Sequence, residues 1–399
     1  MASDNLKKIV FITNLDVLGG AENNLISMVV HPEFNNAFQS IIFSGTRPHK
    51  AIRARIEQSN AKIVQHNKFY GLRVPRFLRD RYFKRQVRSQ HPDVVVFWNH
   101  VARSRQLDIC KELGIKTVFF ERGTGWRQHN SEKVKNFLFS VDKVLGLSWA
   151  GKRMLEERWG YNGQCAVVLN ALRPEIGKTQ AEPKKLPKDR PLRVGVAARL
   201  VAYKGVASVV LAMDEIKKRG LDAELHIAGN GVESETLKAL ASDLDVRAVF
   251  HGILEDMIGF YQYIDILVMP SIREPLGTVP IEAQSQGCPV LYSGVDGLVE
   301  VVQDGKTGFM LTPSWDVEEY LQYTCQREGM PELVYSPVLD RLDVPKALKP
   351  SDIASQVIEL ARSEDLFSWM SKEAMHFVRE NFTFEDYVQK IKKAVNNIG

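Results

Sequence analysis

The chain is poor in cysteine and has no long apolar run. Its four cysteines are isolated from one another and from any cluster of histidines, without a C-x-x-C pair. This spacing implies neither a disulfide framework nor a structural zinc site, so we expect buried free thiols. These cysteines are Cys110, Cys165, Cys288 and Cys325.

No apolar stretch reaches the length of a membrane-spanning helix, and residues 1–4 lead into a predicted strand without a signal-peptide pattern. We therefore expect a cytoplasmic protein, either free or at the inner face of the membrane. The formal net charge of +5 is too small over the whole chain to indicate nucleic-acid binding. With 399 residues, 44% of them apolar, the chain exceeds one ordinary core and predicts two globular domains.

Short apolar or β-branched runs alternate with helix-length segments in both halves of the chain. This alternation predicts an α/β fold of two Rossmann-like domains, each with a doubly wound parallel sheet. Prolines and charges dominate residues 173–191, the expected linker between domains 1–172 and 192–382. Residues 325–350 break the pattern as an insertion, and helix 383–399 is expected to pack back on the N-terminal domain. The predicted strands are Lys7–Thr13, Gln39–Ser44, Val94–Trp98, Thr117–Glu121, Val144–Ser148, Arg193–Ala198, Leu225–Ala228, Val249–Phe250, Ile266–Met269 and Pro289–Tyr292.

The most informative segment follows the ninth of these strands and has the sequence R-E-P-L-G-T-V-P-I-E-A from Arg273. It places Glu274 and Glu282 eight positions apart around a Gly-Thr turn. A proline suits the first turn of a helix, so we expect a helix to start near Val279 or Pro280.

The start of this helix predicts a phosphate site. The backbone N–H groups of Gly277, Thr278 and Val279 should face the crevice, where unpaired donors and the helix dipole both favour an anion. The two flanking carboxylates could bind hydroxyl groups. A phosphate site with two such carboxylates is typical of a nucleotide-sugar pocket.

The same segment resembles the E-x7-E signature of glycosyltransferase family 4, a family of retaining GT-B glycosyltransferases, which has the form E-P-F-G-x-x-x-x-E-A. Leu276 stands where that family usually has phenylalanine. The resemblance implies the GT-B architecture, in which two such sheets face each other across a cleft. It implies that domain 1–172 binds the acceptor and that domain 192–382 binds the nucleotide sugar. It also implies that Glu274 holds hydroxyls of the transferred sugar and that Glu282 holds the ribose hydroxyls.

A second motif, V-G-V-A-A-R-L-V-A-Y-K-G, opens the C-terminal half and carries Arg199 and Lys204. Two cations at the carboxyl end of a strand can neutralise a diphosphate, arginine through its planar fork and lysine as a point charge. The motif is similar to the family pattern G-R-L-x-x-x-K-G, with Ala198 in place of the usual glycine. The resemblance implies that both cations bind the donor pyrophosphate.

Two shorter segments complete the expected donor site. H-I-A-G-N-G is similar to the family's I-x-G-x-G turn, so Gly229 and Gly231 would allow close packing by the phosphates. H-G-I-L-E-D is similar to the segment that lines the nucleotide base, which would place Ile253 and Leu254 beside the base. We interpret His251 as a polar residue at a strand end.

In the N-terminal half, Gly19 and Gly20 follow the first strand and could bring backbone N–H groups close to a ligand. In family 4 this loop lies over the donor pyrophosphate and the acceptor. Where the family commonly has His-Gly, this chain has Arg122-Gly123, and an arginine cannot act as a neutral base because it stays protonated. Either Arg122 binds a phosphate or an acidic acceptor, or Glu121 provides the polar contact.

The resemblance implies a retaining glycosyltransferase that moves a hexose-type sugar from a nucleoside-diphosphate sugar to a hydroxyl of a glycan or glycolipid. Cell-surface polysaccharide or lipopolysaccharide synthesis is the expected setting. The family's front-face mechanism needs no protein base, so stabilisation of the leaving diphosphate is the main protein contribution. We expect no metal and no other cofactor. The alternatives are a GT-B nucleotide-sugar epimerase, a sugar phosphorylase, or a noncatalytic nucleotide-sugar-binding scaffold.

Residues 68–88, the basic-aromatic segment, contain eight basic residues and one acid, interleaved with aromatics. A helix from Pro75 would carry Phe77, Leu78 and Tyr82 on one side with arginines around it. Such a surface could lie on anionic lipid head groups, or it could be a solvated helix beside the core. No nucleic-acid recognition motif accompanies the charge, so we expect no nucleic-acid partner.

Overall fold

The structure of this protein is a computed structural model. It describes residues 6–16, 19–69, 72–99, 101, 104–127 and 132–398. The chain divides into two compact units. Unit 1 is Met1–Asn170 with Phe384–Gly399, and unit 2 is Ala171–Thr383. The predicted linker 173–191 therefore belongs to unit 2.

Unit 1 is built on a parallel sheet whose strands are rich in valine, isoleucine and phenylalanine. Its described strands are β1 (Lys7–Thr13), β2 (Phe38–Ser44), β3 (Lys62–Gln65), β4 (Lys68–Phe69), β5 (Leu72–Arg73), β6 (Val94–Trp98), β7 (Lys116–Glu121), β8 (Lys143–Gly146) and β9 (Cys165–Val167). Seven of them form the sheet in the order β3-β2-β1-β6-β7-β8-β9, and β4 and β5 form a separate antiparallel hairpin. The central strands are buried on both faces, which explains their continuous apolar sequences.

Helices cover both faces of this sheet and join its parallel strands. In the described part of the chain the helices before unit 2 are α1 (Gly20–Val30), α2 (Pro32–Asn35), α3 (Lys50–Ile56), α4 (Arg79–Gln90), α5 (Ser104–Glu112), α6 (Glu132–Ser140) and α7 (Trp149–Trp159). The predicted helix after Pro75 is present, although its first turn, Arg76–Leu78, is a 3₁₀ helix.

Unit 2 repeats the same logic with a second parallel sheet. Its strands are β10 (Leu192–Ala197), β11 (Ala223–Ala228), β12 (Ala248–Gly252), β13 (Ile266–Met269), β14 (Val290–Ser293), β15 (Gly308–Leu311), β16 (Val334–Ser336) and β17 (Arg341–Asp343). Six of them form a sheet in the order β12-β11-β10-β13-β14-β15, and β16 and β17 form an antiparallel hairpin.

The helices of unit 2 are α8 (Pro174–Gly177), α9 (Val206–Lys218), α10 (Ser234–Asp243), α11 (Met257–Tyr263), α12 (Val279–Ser285), α13 (Val317–Tyr320), α14 (Pro350–Ala361) and α15 (Glu364–Asn381). Among the residues that the structure describes, no helix combines the length and the apolar composition that a bilayer span requires.

The last helix, α16 (Phe384–Asn396), returns to unit 1. Its buried residues Phe384, Tyr387, Val388 and Ile391 recur at the three- and four-residue spacing of one helix face. The hydroxyl of Tyr387 donates a hydrogen bond of 2.5 Å to Oδ1 of Asn24 in α1. The chain end thus completes the core of unit 1.

These two sheets confirm the predicted fold class of two doubly wound parallel-sheet domains. Several predicted strand ends were wrong by one or two residues: Ser148, Ala198 and Pro289 lie outside the strands. The prediction also missed β3, β9 and β15. All three are edge strands of only three or four residues with partly exposed side chains, and β3 begins and ends with polar residues.

The four cysteines are free thiols, but they are not all buried. Cys110 and Cys288 are buried as expected, and burial raises the pKa of these thiols to about 12 and about 11, respectively. Cys165 is half-buried. The expectation was wrong for Cys325, which is exposed because it lies in the surface insertion.

Candidate active site

In unit 2 the predicted donor-site residues follow four neighbouring strands, β12, β11, β10 and β13. The strand order reverses between β10 and β13, and ligands of open α/β sheets bind beyond the carboxyl ends of the strands at such a point. The structure therefore brings the loops of the unit 2 motifs to one edge of one sheet. These loops carry Arg199, Lys204, Gly229, Gly231, Ile253, Leu254, Glu274, Gly277, Thr278 and Val279.

The two glycines after β11 are required by backbone packing. Gly229 has a φ of +131°, and a Cβ atom there would lie 1.8 Å from the carbonyl oxygen of Ala198. A Cβ atom at Gly231 would lie 2.1 Å from the carbonyl oxygen of Leu200. Both glycines thus let their turn pack against the loop that carries Arg199. Their predicted proximity to phosphates stays a prediction.

Lys204 and Glu274 form an ion pair at this edge. Lys204 ends a short 3₁₀ helix, Ala202–Lys204, and its Nζ donates a hydrogen bond to Oε2 of Glu274. The exposed fractions of the Lys204 and Glu274 side chains are 15% and 13%, so the ion pair is largely buried but still reaches solvent. Arg199 is exposed, and its Nη2 donates to the hydroxyl of Tyr203 at 2.5 Å. The predicted phosphate-binding cations and the predicted sugar-binding carboxylate therefore share one site.

The predicted helix after Glu274 is present and begins at Val279, with Pro280 in its first turn. Within the described residues, the backbone N–H groups of Gly277, Thr278 and Val279 donate to no protein acceptor. Gly277 has a φ of +89°, a left-handed conformation that favours glycine. The turn thus presents three donors without internal partners, as the sequence predicted.

Glu282, in contrast, already has partners on both carboxylate oxygens. Oε1 accepts a hydrogen bond of 2.7 Å from Nε of Arg173, and Oε2 accepts one of 2.8 Å from the hydroxyl of Tyr261. Burial, and then the neighbouring carboxylate, raise the pKa of Tyr261 well above its usual range. Glu282 is only 5% exposed. Its two hydrogen bonds link α12 to α11 and to the segment before α8. Its predicted contact with the ribose stays a prediction.

The segment expected beside the base combines an exposed apolar side chain with a pair of histidines, one buried and one half-buried. Ile253 is 80% exposed and Leu254 is half-buried. Nδ1 of the buried His226 lies 3.0 Å from Nε2 of His251, and Nε2 of His226 lies 3.0 Å from a carboxylate oxygen of Glu224. Burial, followed by the neighbouring His226, lowers the pKa of His251. His251 is thus part of a hydrogen-bonded chain beneath this segment as well as a polar strand-end residue.

Asp296 was not predicted, although it lies next to Glu274. It begins a short 3₁₀ helix after β14, is fully buried, and has a φ of +50°, which is uncommon for a residue other than glycine. Its Oδ2 accepts a hydrogen bond of 2.9 Å from the backbone N–H of Glu274. Its Oδ1 accepts one of 2.8 Å from the backbone N–H of Tyr335, in β16. A polar residue just after a strand was the available signal.

The insertion 325–350 is attached to the same edge at two further points. The carboxylate of Glu233, beside the glycine turn, accepts hydrogen bonds from the N–H groups of Cys325 and Gln326 at 2.9 and 3.3 Å. Nη1 of Arg273 donates to the carbonyl oxygen of Gly329 at 3.2 Å. The insertion is therefore an ordered part of the loop cluster around Glu274.

In unit 1 Arg122 is held between aromatic rings. Its guanidinium carbon lies 4.8 Å from the ring centroid of Trp98 and 5.0 Å from that of Phe120, and only 8% of the residue is exposed. Nη2 donates to Oδ1 of Asn170 at 2.8 Å, whereas Nε and Nη1 have no hydrogen-bond partner among the described residues. Burial lowers the pKa of Arg122, and the nearby Tyr387 opposes this effect. The predicted contact of Arg122 with a phosphate or an acidic acceptor stays a prediction.

Glu121 is fully buried and shapes the loop after β7. Its Oε1 accepts hydrogen bonds from the N–H groups of Gly123 and Gly125 at 2.7 and 2.9 Å. Burial raises the pKa of this carboxyl. Because no part of Glu121 is exposed, the alternative in which it contacts a substrate directly has no support in the geometry. That alternative stays a prediction.

The predicted glycine loop opens α1. The helix begins at Gly20, and Gly19 is its N-cap. A Cβ atom at Gly19 would lie 2.6 Å from Oε2 of Glu22, so the carboxylate of Glu22 turns back over the helix start. An anionic ligand at these N–H groups would have to displace that carboxylate.

The chain is similar to known glycosyltransferases. Residues 178–324 match the family model "Glycosyl transferases group 1". The lipopolysaccharide core biosynthesis glycosyltransferase LpsE of Rhizobium meliloti (strain 1021) is 26% identical over 296 residues, which cover 73% of this chain and 81% of LpsE.

Solved structures agree with the fold. Anabaena HepE, in complex with UDP and glucose, superimposes with a TM-score of 0.73 at 17% identity, covering 98% of this chain and 99% of HepE. The lipopolysaccharide outer core galactosyltransferase WaaB, in its apo form, superimposes with a TM-score of 0.67 at 18% identity, covering 97% and 99%. The two Rossmann-like domains of this chain are those of the GT-B fold.

Proposed function

We propose that this protein, whose residues 178–324 form a glycosyltransferase group 1 domain, is a retaining, family 4-like glycosyltransferase. It transfers a hexose-type sugar from a nucleoside-diphosphate sugar to a hydroxyl of a glycan or glycolipid. The observation that carries the proposal is the Lys204–Glu274 pair beside three backbone donors without internal partners. The similarity to LpsE and WaaB supports a role in lipopolysaccharide or other cell-surface polysaccharide synthesis.

Each part of the site has a task in this reaction. Arg199, Lys204 and the N–H groups of the Gly277 turn bind the diphosphate, and Glu274 binds hydroxyls of the transferred sugar. The bond from the anomeric carbon to the diphosphate oxygen breaks, and the acceptor oxygen bonds to that carbon on the same face. The departing diphosphate takes the acceptor proton. The protein accelerates the step by stabilising charge that develops on the leaving group.

The Lys204–Glu274 ion pair stabilises both side chains in the charged forms that donor binding requires. Lys204 and Glu274 neutralise each other, because a shielded unpaired charge is costly. A bound donor replaces both contacts at once, since its diphosphate attracts the lysine and its hydroxyls donate to the glutamate. We expect no metal or other cofactor in this arrangement. HepE, whose structures contain UDP and UDP-glucose, suggests uridine diphosphate hexoses as the first donors to test.

The basic-aromatic segment supports a peripheral contact with an anionic membrane that carries the acceptor, at the inner face of the membrane. Leu72 is 76% exposed and Phe77 is 81% exposed, and the neighbouring Arg76 is exposed too. Tyr82 does not share that surface as predicted, because its hydroxyl donates to the carbonyl oxygen of Lys68 and its ring is half-buried. Residues 70–71 of the segment lie outside the described residues.

The test is a thermal-shift screen of nucleoside-diphosphate hexoses, followed by assays of donor hydrolysis and transfer. A ligand at a hundred times its Kd stabilises the folded state by about 2.7 kcal/mol, so a true donor should stand out. Glu274→Gln should keep nucleoside-diphosphate binding but lose roughly a hundredfold in turnover. The matched control is Glu235→Gln, which makes the same change at an exposed glutamate on α10. A retained anomeric configuration in the product, read by NMR, tests the stereochemistry.

Three outcomes would contradict the proposal. Near-normal turnover by a folded Glu274→Gln variant would remove the assigned role of Glu274. Inversion of the anomeric configuration would exclude the retaining mechanism. Donor binding by the wild type without any hydrolysis or transfer would favour the noncatalytic scaffold.

A further inference from the structure

A cavity of about 220 Å³ opens in unit 1. None of the residues assigned to the donor site lines it, although Arg73 and Arg79 of its lining belong to the basic-aromatic segment. Its floor is formed where β1, β2 and β3 end, at Asn14, Gly45 and His66. A Cβ atom at Gly45 would lie 3.0 Å from Oδ1 of Asn14 and 3.5 Å from Cε1 of His66, so glycine allows these two side chains to meet. The His66 ring also packs edge-on against Phe83, with 5.8 Å between the ring centroids.

The walls of this cavity carry excess positive charge. Arg73, Arg79 and Arg105 line it, with Asp80 as the acidic group among its lining residues. The charge of Arg105 is neutralised by two carboxylates. Its Nε lies 3.7 Å from Oδ2 of Asp80, and its Nη1 lies 2.9 Å from Oε1 of Glu112. Nε of Arg79 donates to a backbone carbonyl at 3.1 Å, which fixes the guanidinium group. Neither Arg73 nor Arg79 meets a carboxylate in the part of the chain that the structure describes.

The cavity also lies where the topology favours a ligand site. The strand order of this sheet reverses between β1 and β6, and Arg105 belongs to α5, the helix that follows β6. The cavity therefore lies beyond the carboxyl ends of β1, β2 and β3, beside the switch point of the sheet. Its volume is below the roughly 300–1,000 Å³ of pockets that enclose drug-sized ligands. A single charged group or one sugar ring fits it better than a nucleotide does.

We propose that this cavity binds an oxyanion, a phosphate or carboxylate group, that the acceptor carries. This inference rests on the proposed function, because only a transferase needs an acceptor. Two guanidinium groups without carboxylate partners suit an oxyanion, since arginine binds it through paired N–H groups. The donor diphosphate has its own cations in unit 2, Arg199 and Lys204. An acidic acceptor is thus the ligand that accounts for the charge.

The test compares three sugars of one frame: glucose 6-phosphate, glucuronate and glucose. They are titrated calorimetrically into the full chain carrying Arg199→Ala and Lys204→Ala, so that the assigned donor cations are absent. Binding is also followed by the NMR signals of the His66 ring, identified through a His66→Asn variant. We expect the charged sugars to bind and to shift the His66 signals, and glucose to do neither. Binding of one charged sugar alone assigns the site to phosphate or to carboxylate.

Removing the two unpaired arginines should weaken this binding. Arg73→Gln with Arg79→Gln should raise the Kd of the charged sugars by about ten- to a hundredfold, since charge-assisted hydrogen bonds are lost. The control is Arg81→Gln with Arg85→Gln, which removes the same charge from exposed positions of α4 outside the cavity. We expect the control Kd to stay within about twofold, because exposed charges are screened by salt. Circular dichroism verifies the fold of both variants.

Several results would overturn the inference. Equal losses in the two arginine pairs would show general attraction to a basic surface. Equal binding of glucose, or no shift of the His66 signals with either charged sugar, would leave no oxyanion site in this cavity. Because none of these measurements involves transfer, a protein that binds the charged sugars but transfers nothing would contradict the proposed function alone.

Discussion

The backbone N–H of Glu274 donates a hydrogen bond to Oδ2 of Asp296 at 2.9 Å. The other oxygen of the same carboxylate accepts from the N–H of Tyr335 in the insertion hairpin at 2.8 Å. One buried side chain therefore fixes the backbone under the candidate sugar-binding glutamate and ties it to a segment about 60 residues further along the chain. Asp296 adopts a left-handed conformation to do so, and such strained residues cluster at functional sites.

We predict that Asp296→Asn reduces kcat about tenfold, with a smaller effect on the KM of the donor. An amide has one acceptor oxygen and tolerates the left-handed conformation, so it keeps one of the two hydrogen bonds. Asp296→Ala loses both and should lower kcat and the melting temperature together. If Asp296 were merely structural, kcat per folded molecule would be unchanged in the asparagine variant.

The two cations of the diphosphate site should act as one unit. Lys204→Ala and Arg199→Ala should each weaken UDP binding by about tenfold, as expected for the loss of one charge-assisted contact. The double variant should lose less than the sum, because both groups bind one anion. Isothermal titration with UDP measures all three. Unchanged affinity in both single variants would mean that the phosphate binds elsewhere.

The buried contacts of Glu282 predict a loss of stability. Glu282→Gln removes the charge that pairs with Arg173, and we expect it to lower the free energy of unfolding by about 1–3 kcal/mol. Arg173→Ala should have a similar effect, and the double variant should again lose less than the sum. Urea unfolding of the three variants provides the measurement. A fully stable Glu282→Gln variant with weakened donor binding would instead support the ribose contact.

Glu121 predicts a particular pH dependence. Its pKa is raised by burial, so between its ordinary value of about 4.3 and the raised value the folded protein binds more protons than the unfolded chain. This group therefore favours folding least at high pH, and its unfavourable contribution grows as pH rises above about 4.3. Glu121→Gln keeps an acceptor for Gly123 and Gly125 without a charge. Thermal unfolding should be measured from pH 4 to 8. The melting temperature of the variant should rise relative to that of the wild type as pH rises. A constant difference would contradict the raised pKa.

Local sequence patterns were sufficient for the parts of the fold and site that depend on neighbouring residues. The apolar run at Ile266–Met269, the turn at Gly277 and the helix at Val279 all follow from residues close in the chain, and the structure has each of them. The edge strands gave a weaker signal, because they are only three or four residues long and β3 has polar residues at both ends.

The unpredicted contacts of the site join residues far apart in the chain. Arg173 and Glu282 are 109 positions apart, and Tyr335 and Asp296 are 39 apart. Nothing near Arg173 indicates a carboxylate partner, since the pairing depends on how α12 packs against the segment before α8. The sequence could suggest that Glu282 binds hydroxyl groups. Only the folded chain shows that its carboxylate accepts hydrogen bonds from the hydroxyl of Tyr261 and from Arg173.

The exposed end of the basic-aromatic segment yields the last prediction. Leu72, Arg76 and Phe77 project from the surface, whereas Lys84 of the same segment pairs with Glu112 at 2.6 Å. A membrane contact should therefore depend on the first three residues. Arg76→Glu with Phe77→Ser should abolish flotation with vesicles containing phosphatidylglycerol, since it removes both a charge and an apolar side chain from the surface. Wild-type flotation should weaken with salt, because exposed charges are screened beyond about 10 Å at 0.1 M ionic strength.

The matched control is Lys133→Glu with Phe139→Ser on α6, which makes the same kinds of change at exposed positions elsewhere in unit 1. It should float like the wild type, and circular dichroism should show both variants folded. Transfer to a soluble acceptor fragment should be retained by both, because neither pair lines the candidate sites. If the wild type stays off anionic vesicles even at low salt, the membrane contact is wrong. If both double variants lost flotation equally, the effect would come from net charge and not from the basic-aromatic segment. A soluble acceptor would then be the more economical hypothesis for unit 1.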